Sequence, residues 1–396
     1  MYDLVLYTLT SFCLLIIWIS IGRRKYNSFY FAIYHILIGG LFLYFSINNP
    51  ADSQEFFLEG SPSACLFGNN LNELDYGGKL KFDLTNPHFI FCLTGSLKGI
   101  YNNFGFVSSI FTFIGFLGLN YFFQKTLELT KQNKFDNKLC LIVFYLPTIS
   151  FWTSGISKES LLIIAYSLIF DFILYSKLDF NNIYQSLKFI SGILIVLLVR
   201  PYSLLFILIS LLISQITHIF DIVKTLKIKR KTLIIFLFTL IAVKPAITIF
   251  GKVIAINELN SLNYELISQR INISRTSAIE SGGSFITQKG FDKTLLIMFG
   301  PFSSQSIYYL LESITGIALL VLSSRIIFHL IYLKLKIFNN YSVFLISIFA
   351  LEIFKFQFAV FNLGIIVRQR TFIIIYMLLF LSLIIMRISQ QKKLSI

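Results

Sequence analysis

The sequence predicts an all-α membrane protein of about eleven transmembrane helices with two large extracytoplasmic loops. Three observations predict it. Hydrophobic residues make up 56% of the 396 and charged residues only 13%, about half the charged share of a soluble domain. Apolar runs recur near the roughly 20 residues that a helix needs to cross a hydrocarbon core of about 30 Å. The charges also sort by side once the runs are alternated across a membrane. A soluble multidomain enzyme and a disordered chain are both excluded by this composition, and residues 1–396 read as a single polytopic transmembrane domain.

The predicted spans lie at about 4–21, 28–48, 104–124, 139–154, 160–176, 187–199, 203–220, 232–250, 311–333, 341–360 and 371–387. Two apolar pieces, about 88–101 and 294–302, are too short to cross and are expected to be re-entrant or interfacial. No positive charge precedes the first span, and Arg23-Arg24-Lys25 follows it. That pattern is expected of an uncleaved span with its N-terminus outside. Alternation then puts 20 of the 34 Lys and Arg on the inner side, from Arg23 to Lys393, with only Glu128, Asp136, Asp179 and Asp221 among the acids. The net charge of +15 is therefore topological rather than the footprint of a nucleic acid, and no nucleic-acid partner is expected. The C-terminus falls on the cytoplasmic side, and the outer face is nearly neutral.

The outer loops cover about 49–103 and 251–310. Loops of such length in a compact protein usually carry function. The inner loops are short and basic, with no GxxxxGK[ST] and no GxGxxG after a strand, so nucleotide chemistry there is unsupported. Cys65 and Cys92 share the first outer loop, where an oxidising compartment would permit a disulfide. Cys13 and Cys140 sit in spans and read as packing residues. The four histidines are scattered without HExxH or CxxC spacing, so no metal site is expected, and His35, His218 and His329 read as structural hydrogen-bonding groups.

Basic residues on the outer side stand out, because cations there are under-represented unless a partner fixes them. Lys158 ends the segment Phe151-Trp152-Thr153-Ser154-Gly155-Ile156-Ser157-Lys158, where Pro147 and Gly155 interrupt the helical pattern at membrane depth. Arg200 precedes Pro201, which splits an apolar stretch too long for one helix. Arg270 and Arg275 flank a segment leading to the Gly282-Gly283 turn. Arg368 and Arg370 lie between the last two spans. Guanidinium forks suit bidentate phosphate binding; the plainer reading of each residue is pairing with an outer acid or snorkelling to headgroups. Asp52, with Glu55 and Glu59 nearby, follows the second span directly. It reads as a surface charge, or as a group that activates or orients an acceptor hydroxyl.

Taken in order, Asp52-Ser53, the Phe151 to Glu159 segment, Arg200-Pro201-Tyr202, Glu280 to Ser284, Gly300-Pro301-Phe302 and Asn362 to Arg370 resemble bacterial polytopic proteins of surface-polysaccharide synthesis. These are related to the GT-C membrane glycosyltransferases and to O-antigen or capsule repeat-unit polymerases. The matching pieces are short but run through most of the chain. The resemblance implies a GT-C-like fold in the bacterial cytoplasmic membrane. It implies a polyprenyl-(di)phosphate-linked sugar donor used on the outer side, with membrane lipids and other polysaccharide-assembly proteins as partners. It also implies catalytic support from Asp52 and donor-phosphate contacts from Arg270, Arg275, Arg368 and Arg370, beside Lys158 and Arg200. No cofactor is implied. The Asp-Asp or Glu-x-Asp pair of some GT-C members is missing, which leaves a divalent metal unsupported. The competing reading is a flippase-like transporter of lipid-linked oligosaccharide, because Asp171, Glu312, Glu352 and Lys355 fall in or near spans. A repeat of the kind that many transporters carry is not visible.

The sidedness has a direct test. A reporter enzyme active only outside the cytoplasm should be active when fused after residue 75 and inactive after residue 228. The reverse pattern at either site would overturn the assignment.

Overall fold

A computed structural model describes residues 2–21, 26–48, 52–61, 88–175, 182–223, 295, 298–299, 307–332, 340–359 and 363–394. Among them every regular element is a helix and none is a strand. The chain forms two compact units, one of Met1–Lys125 with Phe144–Pro201 and one of Thr126–Val143 with Tyr202–Ile396. The helices are α1 (Tyr2–Ile21), α2 (Tyr26–Asn48), α3 (Asp52–Leu58), α4 (His88–Ile100), α5 (Phe104–Thr130), α6 (Lys134–Phe144) and α7 (Pro147–Trp152). There follow α8 (Lys158–Phe170) with a π-helical turn (Asp171–Tyr175), α9 (Ile183–Val199), α10 (Pro201–Val223), α11 (Ile307–Tyr332), α12 (Asn340–Ala359) and α13 (Leu363–Leu394).

Five of these helices, α1, α2, α5, α11 and α13, contain segments long and apolar enough to cross a membrane, and shorter apolar helices lie within α4, α9 and α10. The fold class is thus that of an all-α membrane protein. Several details differ from the simple run of spans. The stretch expected at 139–154 is two helices, because Pro147 has no N–H to continue the ladder and Leu146 before it is extended at φ −67° and ψ 127°. The last helix begins at Leu363 rather than near 371, so Arg368 and Arg370 lie inside α13. The span expected at 232–250 and residues 62–87 of the first outer loop lie outside the described residues, as does nearly all of 251–310.

Lipid tails are as apolar as a leucine, so hydrophobic burial alone does not drive helices together in a membrane; close packing does. The first unit packs around Phe31. Its ring stacks on Phe123 at 4.6 Å and meets Tyr145 edge-on at 5.5 Å, while Trp18 contacts Phe116 at 5.0 Å. Such aromatic pairs contribute about 0.5–1.5 kcal/mol each beyond their burial. Gly118 lets α5 reach the backbone of α8, since a β-carbon there would stand 2.6 Å from the Ile164 nitrogen.

The interruption between α7 and α8 lies among buried residues, where freed backbone groups need partners from the protein itself. The chain supplies them. Gly155 turns with φ +64°, a conformation that favours glycine, and its N–H donates to Thr112 Oγ1 at 3.0 Å. The Thr153 hydroxyl donates to the Ile149 carbonyl at 2.7 Å, and Ser154 Oγ lies 3.2 Å from His35 Nε2. Ser157 caps α8 by accepting from the Ser160 N–H at 3.2 Å. His35 is therefore the structural hydrogen-bonding group the sequence suggests.

Segments predicted to share the outer side meet at one end of this unit. Asn103 donates to Asp3 Oδ1 at 2.8 Å, the Tyr2 and Tyr101 hydroxyls lie 2.6 Å apart, and Lys98 donates to the Phe57 carbonyl at 3.0 Å. Segments predicted inner meet elsewhere: Gln124 donates to Ser28 at 2.8 Å, and Asp171 accepts from the Tyr121 hydroxyl at 2.6 Å beside Lys188 at 3.5 Å.

In the second unit a fully buried carboxylate ties the α5–α6 turn to α11. Asp136 receives Arg325 Nε at 2.5 Å and lies 2.9 Å from His329 Nε2. The guanidinium sits between the rings of Phe135 and Phe328, at 4.9 and 5.0 Å. Asn133 holds the turn by accepting from the Asp136 N–H, and Asn137 donates to the Leu127 carbonyl at 2.9 Å. On α12, Lys355 donates to Glu352 one turn earlier, both buried, with the Phe206 ring 6.0 Å from the ammonium.

Removing one partner of a buried pair strands the other charge, at a cost of about 3–5 kcal/mol. Asp136→Ala should therefore lower stability in detergent by that order. Asp136→Leu with Arg325→Met should recover much of the loss. Equal stability of Asp136→Ala and the wild type would show that this pair contributes nothing.

Candidate functional site

The site begins where α2 gives way to α3 in the first unit. Helix α3 starts directly after α2, and its first turn carries Asp52 and Glu55, where the helix dipole favours negative charge. Gln54 fastens this start by donating to the Ser46 carbonyl at 2.9 Å, the last turn of α2. Lys98 of α4 closes the other end of α3 by donating to the carbonyls of Phe57 and Leu58. Phe56 meets Phe91 at 5.2 Å and Phe57 meets Phe104 at 5.2 Å. Cys92 on α4 is disulfide-bonded while Cys13 and Cys140 are free thiols; Cys65 lies outside the described residues. Asp52, Glu55 and Glu59 follow a spacing that places all three on one stripe of α3 and its extension, and all three are exposed.

Lys158 and Glu159 open α8, and these consecutive residues serve different partners. The Lys158 ammonium lies 5.8 Å from the Phe56 ring centroid and close enough to Glu55 to favour its charged form. Partial burial, followed by the Glu59 and Asp52 carboxylates, nevertheless holds the Glu55 carboxyl above its ordinary value. Glu159 turns inward and accepts from Arg200 Nη2 at 2.9 Å, with side chains 6% and 9% exposed. Arg200 caps α9, its N–H donating to the Val196 carbonyl at 2.8 Å, and Pro201 opens the next helix. Each partner occupies the helix end whose dipole favours its charge. Residues 158 and 159 thus join the exposed carboxylates of α3 to a buried arginine.

The sequence-predicted residues divide accordingly. Asp52, Lys158 and Arg200 belong to the first unit: Asp52 and Lys158 both act on Glu55, and Arg200 pairs with Glu159. Glu159 was not among the candidates; its adjacency to Lys158 suggests a local pair, and only the fold reveals Arg200 as its partner. Arg368 and Arg370 belong to the second unit, where Arg370 is 1% exposed and ranks among the largest fully buried side chains. Arg270 and Arg275 lie outside the described residues. The described residues of this part of the first unit include four carboxylates, Asp52, Glu55, Glu59 and Glu159, and three cations, Lys98, Lys158 and Arg200. No group of three or more His, Cys, Asp or Glu able to hold a metal ion occurs among the described residues.

No protein-family model matches the chain, and neither a curated protein nor a solved structure matches it. The functional reading therefore rests on the residues and their geometry.

Because the Glu55 carboxyl is raised in the folded state, its ionisation works against folding as pH climbs through the carboxylate range from about 4.5. Glu55→Gln should match the wild type in thermal stability below about pH 4 and equal or exceed it near neutrality. A marked loss of stability at neutral pH would contradict the crowded-carboxylate description.

Proposed function

We propose that this protein is a membrane glycosyltransferase or repeat-unit polymerase of cell-surface polysaccharide synthesis. It uses a polyprenyl-(di)phosphate-linked sugar on the outer side of the bacterial cytoplasmic membrane. The observation that carries this reading is the Lys158-Glu159 junction, which brings an exposed acidic stripe starting at Asp52 to the same helix start as Arg200. Glycosyl transfer from a phosphate donor needs both kinds of group. The bond between the sugar C1 and the phosphate oxygen breaks while a bond from the acceptor oxygen to C1 forms. The proton of the acceptor hydroxyl passes to a carboxylate, here assigned to Asp52. The charge left on the polyprenyl (di)phosphate is stabilised by Lys158 and Arg200. Arg270, Arg275, Arg368 and Arg370 remain proposed as further donor contacts, Arg370 from within the bundle.

The transporter reading keeps one specific observation in its favour, the Glu352–Lys355 pair buried in α12. Ionisable residues at membrane depth mark substrate or ion pathways more often than they serve as packing.

Substitutions at the exposed edge give the cleanest test, because Arg200→Ala would also strand a buried glutamate. Asp52→Asn and Lys158→Gln should each abolish or strongly reduce surface polymer while the protein still inserts in the membrane. Glycan analysis after deletion should show single repeats for a polymerase and truncated repeats for a transferase. Undiminished polymer in both substituted strains would sink the proposal, and intact lipid-linked repeats accumulating on the cytoplasmic side would favour transport.

A further inference from the structure

Glu159 is a buried acid that the proposed reaction does not use, and it occupies the group the reaction needs. Arg200 Nη2 donates to its carboxylate at 2.9 Å, with both side chains largely shielded from solvent. A donor phosphate would address the same guanidinium fork, because carboxylate and phosphate oxygens satisfy the same planar set of N–H groups. The pair is also firmly placed. Ser157 caps α8 two residues before Glu159, and Gly192 lets α9, which Arg200 terminates, pack closely on α8, since a β-carbon there would stand 2.8 Å from the Ala165 carbonyl oxygen. The carboxylate takes the Nη2 edge of the guanidinium, so a phosphate that approaches that edge competes with it.

We propose that Glu159 is a built-in competitor for the donor phosphate at Arg200, so that donor binding exchanges a carboxylate for a phosphate at one guanidinium. This rests on the phosphate role given to Arg200 above and adds a substrate class to it. With the site empty, Arg200 is neutralised at short range, as a buried arginine requires. A ligand gains only the difference between its own attraction to Arg200 and that of the carboxylate it displaces. A singly charged phosphodiester gains little over a carboxylate, whereas a diphosphate presents more charge and more acceptor oxygens to Arg200 and to the neighbouring Lys158. The exchange therefore weakens every phosphate ligand by the same factor, so that a polyprenyl diphosphate, whose own attraction is larger, still binds while a phosphodiester or a phospholipid headgroup falls below useful occupancy.

The two readings fail in different ways. The experiment uses the full-length protein in nanodiscs and two probes, a sugar-linked polyprenyl diphosphate and the matching sugar-linked polyprenyl monophosphate (a phosphodiester), with affinity and thermal stability measured on each variant. The wild type should bind the diphosphate more tightly than the monophosphate, and Arg200→Ala should lose most of that binding. Glu159→Gln keeps the shape and an acceptor oxygen but removes the charge. It should bind both probes more tightly, by about tenfold, the worth of one charge-assisted hydrogen bond, with the preference between them unchanged. Glu159→Asp, which keeps the charge, should bind both probes more weakly than Glu159→Gln. Unchanged or weaker binding by a folded Glu159→Gln, with Arg200→Ala still defective, would overturn the exchange and leave Glu159 as a strut for Arg200. Equal diphosphate binding by Arg200→Ala and the wild type would overturn the phosphate role of Arg200, and the exchange with it.

Discussion

The first unit depends on how the chain breaks a helix inside its own packing. Buried N–H and C=O groups freed from a helix need replacement partners, so such an interruption survives only when side chains or neighbouring helices supply them. Residues 153–157 meet that demand with Thr112 from α5, His35 from α2 and their own hydroxyls. The sealed turn then fixes where α8 begins. That start decides that Lys158 faces α3 while Glu159 faces Arg200. The site is thus a consequence of backbone hydrogen bonding one turn away.

Charge imposes the second constraint. A lone buried ion costs several kcal/mol even after relaxation, and a well-aligned partner offsets it. Three described pairs solve this over different sequence distances: Glu352 with Lys355 within one helical turn, Glu159 with Arg200 across two neighbouring helices, and Asp136 with Arg325 across 189 residues. The first closes within α12, where the Lys355 ammonium also lies 6.0 Å from the Phe206 ring of α10. The second fastens the start of α8 to the end of α9. The third holds the α5–α6 turn against α11, with His329 completing the carboxylate's partners.

This ordering explains what the sequence disclosed. Apolar runs and side-sorted charges predict membrane helices, and α1, α2 and α5 begin within about two residues of their expected starts. Pro147 and Pro201 announce their breaks through a missing N–H that any reader of the chain can see. Pairings are another matter. Asp136 reads as an ordinary inner-loop charge, because nothing near residue 136 points to Arg325 or His329. Glu159 reads as a neighbour of Lys158 for the same reason. The early start of α13 was hidden because Arg368, Gln369 and Arg370 look like loop residues at a membrane boundary. Yet Arg and Gln are good helix formers, and Gln369 and Arg370 are buried in place.

Burial also redistributes the cations that a linear reading groups into one clamp. A phosphate contact needs a donor that a ligand can reach, and Arg370 at 1% exposure meets that need only for a ligand lying between helices. Lys158 is half-buried and lies beside the exposed Glu55 of α3. Arg200 lies deeper and already holds an anion. On the proposed reading a donor phosphate meets Lys158 first and gains Arg200 only when Glu159 yields. On these terms the carboxylates around these cations do not argue against a phosphate ligand. They set how much charge that ligand must carry to displace one of them.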